Sequence, residues 1–168
     1  MRNLTIKLTL GLLLSLLFTM PSLGESYTKQ GARMIELNST IAPFKLNDQF
    51  GEESNVEKMP KLLICSFGKE SGKLISSYFN AQSADYLTSY DIKLMADVAG
   101  VPSLLRKTII LPKMKKYGFK ILVSTEPEFM KQFPQQEDKL TLLKFNGDVV
   151  NEIVFVSNEA ELKEAIEG

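Results

Sequence analysis

Residues 61–75 read KLLICSFGKESGKLI, and the first half of this stretch decides the fold. Lys61 to Phe67 places apolar residues at consecutive rather than alternate positions. A strand of that kind has both faces covered, which puts it in the centre of a sheet that is parallel at least in part. The second half, Gly68-Lys69-Glu70-Ser71-Gly72-Lys73, is a turn followed by helical spacing of Leu74, Ile75, Tyr78 and Phe79. This predicts a helix over 72–82 with Ser71 as its N-cap. A central strand running into a helix is the basic step of an α/β architecture.

On the N-terminal side, Phe44 to Phe50 alternates, turns at Gly51, and returns through Ser54 to Val56, the pattern of a small β-hairpin. On the C-terminal side, residues 91–98 form the next predicted strand. Gly100-Val101-Pro102 then starts a helix, with proline preorganised for the first turn. Pro112 is expected to kink or end that helix, because it lacks an N–H and its ring clashes with the preceding turn. Residues 119–124 predict a strand, and Thr125-Glu126-Pro127-Glu128 predicts a capping box opening a short helix. Asn146-Gly147 between two apolar runs, 140–145 and 148–156, is a strong hairpin signal. Ser157-Asn158 caps a last helix running through Ile166. The order implies a mixed central sheet with helices on both faces.

The first 24 residues have the composition of an export signal. Arg2 and Lys7 precede the apolar stretch 8–20, which is short for a bilayer span, and Pro21-Ser22-Leu23-Gly24 offers small residues for cleavage after Gly24. Retention as an uncleaved anchor is the other reading of this segment. Residues 25–40 read as a polar leader, and 41–168 as a single domain. The expected location is the periplasm of a bacterium, with no transmembrane span in the mature chain.

Absences narrow the chemistry. There is no histidine in the sequence, which removes His-dependent nucleophile pairs and imidazole metal sites. There is one cysteine, Cys65, so a CxxC pair and a thiolate zinc cluster are both impossible, and no metal is expected. Twenty basic residues against twenty acidic ones give no sign of a nucleic-acid partner.

In this setting the chain resembles the thioredoxin-like superfamily. FKLNDQFGEE (44–53) followed by KLLICSF (61–67) is similar to the opening of its peroxiredoxin-like and cytochrome-maturation-type branch. LTLLKFNGDVVNEIVFVSNEAELKEAI (140–166) is similar to the closing hairpin and helix of thioredoxins. The resemblance implies the fold, but the active-site residues do not carry over. The two CxxC positions fall on Lys69 and Gly72, and the place of the cis-proline falls near Lys139 or Leu140. Val101-Pro102-Ser103 lies too early to replace it and reads as a helix start with a trans bond.

Three features remain as candidate sites, each with a bland alternative. The loop formed by Gly68, Lys69, Ser71, Gly72 and Lys73 is one residue short of a P-loop and lacks its magnesium-binding hydroxyl. It can instead offer backbone N–H groups and two lysines to an anion, or be an ordinary capped turn. Cys65, in mid-strand, is a buried structural thiol or the centre of a single-cysteine peroxide- or thiol-handling enzyme. Arg106, Lys107, Lys113, Lys115, Lys116 and Lys120 occur with no acid between Val98 and Thr125, which suits an acidic protein partner or an anionic surface, or else a solvated helix face. Asp97, at the end of a predicted core strand, has no evident partner for acid–base work and is expected to cap the next helix. No flavin fingerprint is present and no cofactor is expected, although a flavin-dependent dehydrogenase with no sequence fingerprint is an alternative to a binding or accessory module without dithiol chemistry.

Overall fold

The computed structural model describes residues 33–168; the segment 1–24 expected to be an export signal, and residues 25–32 of the expected leader, lie outside them. Seven strands form one mixed sheet in the order β2-β1-β5-β4-β3-β6-β7. The predicted central strand is β3 (Leu62–Ser66), with all five residues buried. It pairs in parallel with β4 (Ile92–Asp97) and antiparallel with β6 (Leu140–Asn146). Beyond β4 lies β5 (Leu122–Ser124), parallel to it, and then β1 (Phe44–Asp48) and β2 (Glu53–Val56), antiparallel to each other. β7 (Val149–Val156) closes the other edge through a two-residue turn, Gly147-Asp148. Gly147 takes φ +62° at the first central position, a left-handed conformation that glycine enters at least steric cost. The turn therefore sits one residue beyond the predicted Asn146-Gly147 centre.

Because side chains alternate across a strand, β3 feeds two cores at once. Leu62 and Ile64 join Leu74, Ile75, Tyr78 and Phe79 of α1 (Lys69–Asn80) and Leu162 of α6 (Glu159–Glu167) on one face. Tyr86 of α2 (Tyr86–Ser89) completes that layer, its hydroxyl 2.8 Å from that of Tyr78. Leu63 and Cys65 meet Met130 of α5 (Pro127–Met130) and Phe133 on the other face. Ile35 and Ile41 are buried in this second core, so the otherwise mostly exposed segment before β1 is anchored to it at these two points. The Ile35 N–H donates to the Gln132 carbonyl, a tie that the polar composition of this segment does not announce.

Several local expectations need correction. α1 begins at Lys69 with Gly68 as N-cap, not at Gly72. Ser71 occupies the third helical position, and its hydroxyl reaches back to accept from the Phe67 and Gly68 N–H groups, both at 3.2 Å. Pro112 does not end its helix. The segment runs through α3 (Ser103–Leu105), a π-turn (Arg106–Ile110) and α4 (Leu111–Met114). Widening the turn before the proline removes the demand for the N–H that Pro112 lacks, and the helix continues. Thr125 makes no capping bond; Glu126 is the N-cap and Pro127 opens α5. Asn158 caps α6 as expected, accepting from the Glu161 N–H at 3.0 Å.

One polar knot at the β1–β2 end was invisible in the sequence. Gln49, 1% exposed, donates to the Phe119 carbonyl at 2.7 Å and accepts from the Ile121 N–H at 2.9 Å. Beside it, Asp48 accepts from the Phe50 and Glu52 N–H groups and pairs with Lys120 at 3.2 Å. Burial alone raises the Asp48 pKa, but those N–H bonds and the Lys120 ammonium outweigh it, holding the carboxyl below its ordinary value. A depressed folded-state pKa stabilises the fold above the unfolded-state value and is lost as pH falls through the folded one. Asp48→Ala is therefore expected to lower unfolding free energy by about 1–3 kcal/mol at pH 7. The difference from wild type should shrink below about pH 4 in denaturant titrations.

Gly72 supplies a second test. It stands inside α1, its φ is not positive, and an added Cβ would meet nothing within 4 Å. Gly72→Ala should raise stability by about 0.5–1 kcal/mol, read from the same titrations.

Candidate functional site

The carboxyl ends of β3 and β4 open beside the first turn of α1, at the sheet edge where open α/β folds place ligands. A cavity of about 390 Å³ lies there. Ile75, Val98, Val101, Ile110, Met114 and Ile121 supply apolar wall, from α1, the end of β4, the 103–114 helix and the approach to β5. Polar groups are fewer: Ser66 lines the cavity and is itself 3% exposed, while Lys69, Lys73, Lys113 and Asp97 stand along it. The Asp97 carboxylate accepts from the Ala99 N–H at 2.9 Å, tying its own turn rather than capping the next helix. Tyr117 also lines the space, stacked on Phe119 at 5.0 Å, and its burial raises the phenol pKa, keeping it neutral.

Part of the predicted anion loop is bonded from within. The N–H groups of Phe67 and Gly68 are held by Ser71, the Gly72 N–H donates to the Gly68 carbonyl at 3.0 Å, and Lys73 bonds Glu70 at 2.8 Å. The Lys73 ammonium heads the causes that lower the Glu70 pKa. Ser71 is 1% exposed, so its hydroxyl faces inward. Of the five candidates, Lys69 keeps an exposed side chain with no ion pair among the described residues. On the other side of the same loop, a second cavity of about 350 Å³ is bounded by Phe67, Gly68 and the segment from Gln135 to Lys139.

The predicted basic cluster divides. Lys113 borders the cavity beside α1, whereas Lys115 lines a separate groove against β1. Arg106 folds inward to donate to the Val98 carbonyl at 3.3 Å, and Lys120 is committed to Asp48 and Glu52. Lys107 and Lys116 are exposed on the 103–114 helix and its exit. Among the described residues, no group of three cysteine or acidic side chains gathers as a metal-binding set.

Sequence reasoning missed the cavity because its walls come from four separated segments. Only the apolar spacing of Ile110, Met114 and Ile121 hints at burial, and it does not say against what.

Two solved structures share this arrangement. A putative protein disulfide isomerase from Bacteroides thetaiotaomicron superposes with TM-score 0.54 at 11% identity, over 81% of this chain and 89% of that one. Peroxidoxin BcpB from Mycobacterium tuberculosis gives TM-score 0.53 at 14% identity, over 79% of this chain and 94% of its own. The fold is thioredoxin-like. No family profile and no curated protein matches the sequence. At these identities the likeness concerns the thioredoxin-like framework alone, and the site has to be judged on its own residues.

Cys65 lies away from this site. Its side chain joins the second core, opposite α1, with no exposed surface. Burial pushes its thiol far above the ordinary range, so the nucleophilic thiolate is suppressed. Native protein should therefore resist an aromatic disulfide reagent, with labelling of Cys65 following the rate of unfolding in denaturant. Rapid stoichiometric labelling without denaturant would contradict this placement.

Proposed function

We propose that this chain is an exported thioredoxin-like binding or accessory module of the bacterial cell envelope that carries out no dithiol chemistry. In this reading its cavity holds a small ligand with an apolar body and an anionic head. The observation that carries the proposal is the character of the space beside the first turn of α1. It has apolar walls on several sides, with Lys69 and Lys113 along it and Asp97 engaged by its own turn. The positions that the superfamily resemblance assigns to the two thiols are Lys69 and Gly72. The single cysteine is sealed on the opposite face of the sheet.

The physical chemistry favours binding over turnover. An apolar enclosure gains from excluding water, while lysines beside it select negative charge without supplying a nucleophile or a base. Gly72 fits the same reading: a glycine costs helix stability, and here the missing side chain keeps the cavity clear. The composition of residues 1–24, which reads as an export signal, favours the envelope location. No helix among the described residues is long and apolar enough to cross a membrane.

The test uses an anionic fluorescent probe, 8-anilinonaphthalene-1-sulfonate, together with dodecanoate as competitor. Saturable binding of one probe per chain, displaced by dodecanoate, is expected. It should fall at least tenfold in Gly72→Phe, which fills the cavity, and in the double variant Lys69→Glu/Lys113→Glu. Parallel assays of insulin disulfide reduction and peroxide consumption are expected to show no turnover. Turnover abolished by Cys65→Ser would replace this reading with the single-cysteine oxidoreductase.

A further inference from the structure

The helix that walls the cavity has two faces of opposite destination. Arg106, Ile110, Leu111 and Met114 turn inward, with Ile110, Leu111 and Met114 packed on or in the first core. The outer face carries Leu104, Leu105 and Ile109, which are 70%, 45% and 55% exposed. Met34 and Leu37 form a smaller exposed pair, while Phe50, Tyr90 and Val149 stand apart in sequence; Leu104, Leu105 and Ile109 fall within six consecutive positions of one helix. Exposed cations follow along the same segment, Lys107 and Lys116 together with Lys113 at the cavity and Lys115 at the groove against β1, and none is in an ion pair among the described residues. No acidic residue occurs between Val98 and Thr125.

We infer that this face of the 103–114 helix docks the protein on an anionic lipid surface. Apolar side chains projecting from a short helix, with lysines around them, are what interfacial adsorption requires: the apolar groups enter the headgroup boundary and the ammonium groups stay among the phosphates. A protein partner fits less well. Stable protein interfaces bury about 800 Å² on each side, far more than three side chains provide. Four unpaired cations would also have to find four acids in that small area. A lipid surface offers negative charge without a fixed register. The inference is independent of the ligand proposed for the cavity, since the residues it uses point away from it, Lys113 alone being shared.

The experiment uses the full chain with Leu104→Cys, labelled with an environment-sensitive dye; Cys65 is buried and stays unlabelled in native protein. Asn151→Cys, exposed on β7 at the far edge of the sheet, is the control. Both proteins carry the same N-terminal apolar segment, so a difference between them reports on the helix. With vesicles of phosphatidylcholine and phosphatidylglycerol at three to one in low salt, the dye at 104 should shift to the blue and the dye at 151 should not. Each lysine strengthens such adsorption by roughly fivefold. Reversing Lys107, Lys113, Lys115 and Lys116 to glutamate, or adding 0.5 M salt, should thus weaken it by on the order of 100-fold or more. The inference is overturned by no shift at 104, by equal shifts at both sites, or by equal binding to pure phosphatidylcholine. A shift at 104 that needs only higher protein concentration also overturns it, since a second copy of the chain would then be the occupant.

Discussion

Burial of β3 on both faces is the constraint from which the rest follows. Five consecutive buried residues between a parallel and an antiparallel neighbour commit Ile64 and Ser66 to the α1 side, and Leu63 and Cys65 to the other. That alternation puts the one thiol in the wrong layer to act beside the helix, and puts a small hydroxyl residue, Ser66, where the cavity opens. A one-residue shift in register would exchange the two, and would also expel Leu63 and Ile64 from their cores. The location of Cys65 is therefore held by the whole sheet.

The first turn of α1 shows how a loop can keep its shape with a different set of bonds. Ser71 reaches back to the backbone of Phe67 and Gly68, and Glu70 neutralises Lys73. These bonds engage the Phe67 and Gly68 N–H groups and the Lys73 ammonium. What survives is a space shaped by apolar side chains, with charge along it rather than concentrated in the loop. The 103–114 helix serves both as a wall of this space and as an outward surface. The π-turn before Pro112 lets it keep one stripe in the core and another in solvent.

Local pattern made part of this readable. Consecutive apolar residues announced β3, helical spacing announced α1, and Asn158 with Glu161 announced the start of α6, because each signal acts within a few residues. The role of Ser71 was misread because an N-cap and a third-position hydroxyl lie within the same short motif and differ only in which way the side chain turns. Within the basic run, sequence proximity does not reveal that Lys120 turns to Asp48 and Arg106 to the Val98 carbonyl, while Lys107, Lys113, Lys115 and Lys116 make no ion pair among the described residues.

By itself the sequence determined the order of strands and helices and the central place of β3. It also excluded dithiol and histidine chemistry, since a missing side chain cannot be restored by folding. Tertiary structure alone decided where the space lies and what it is made of. The cavity joins residues from Ser66 to Ile121 that meet only when β3, β4 and the 103–114 helix pack together. It also decided that Asp48 and Gln49 are buried and Leu104 exposed, because burial depends on the neighbours that long-range pairing brings to each side chain.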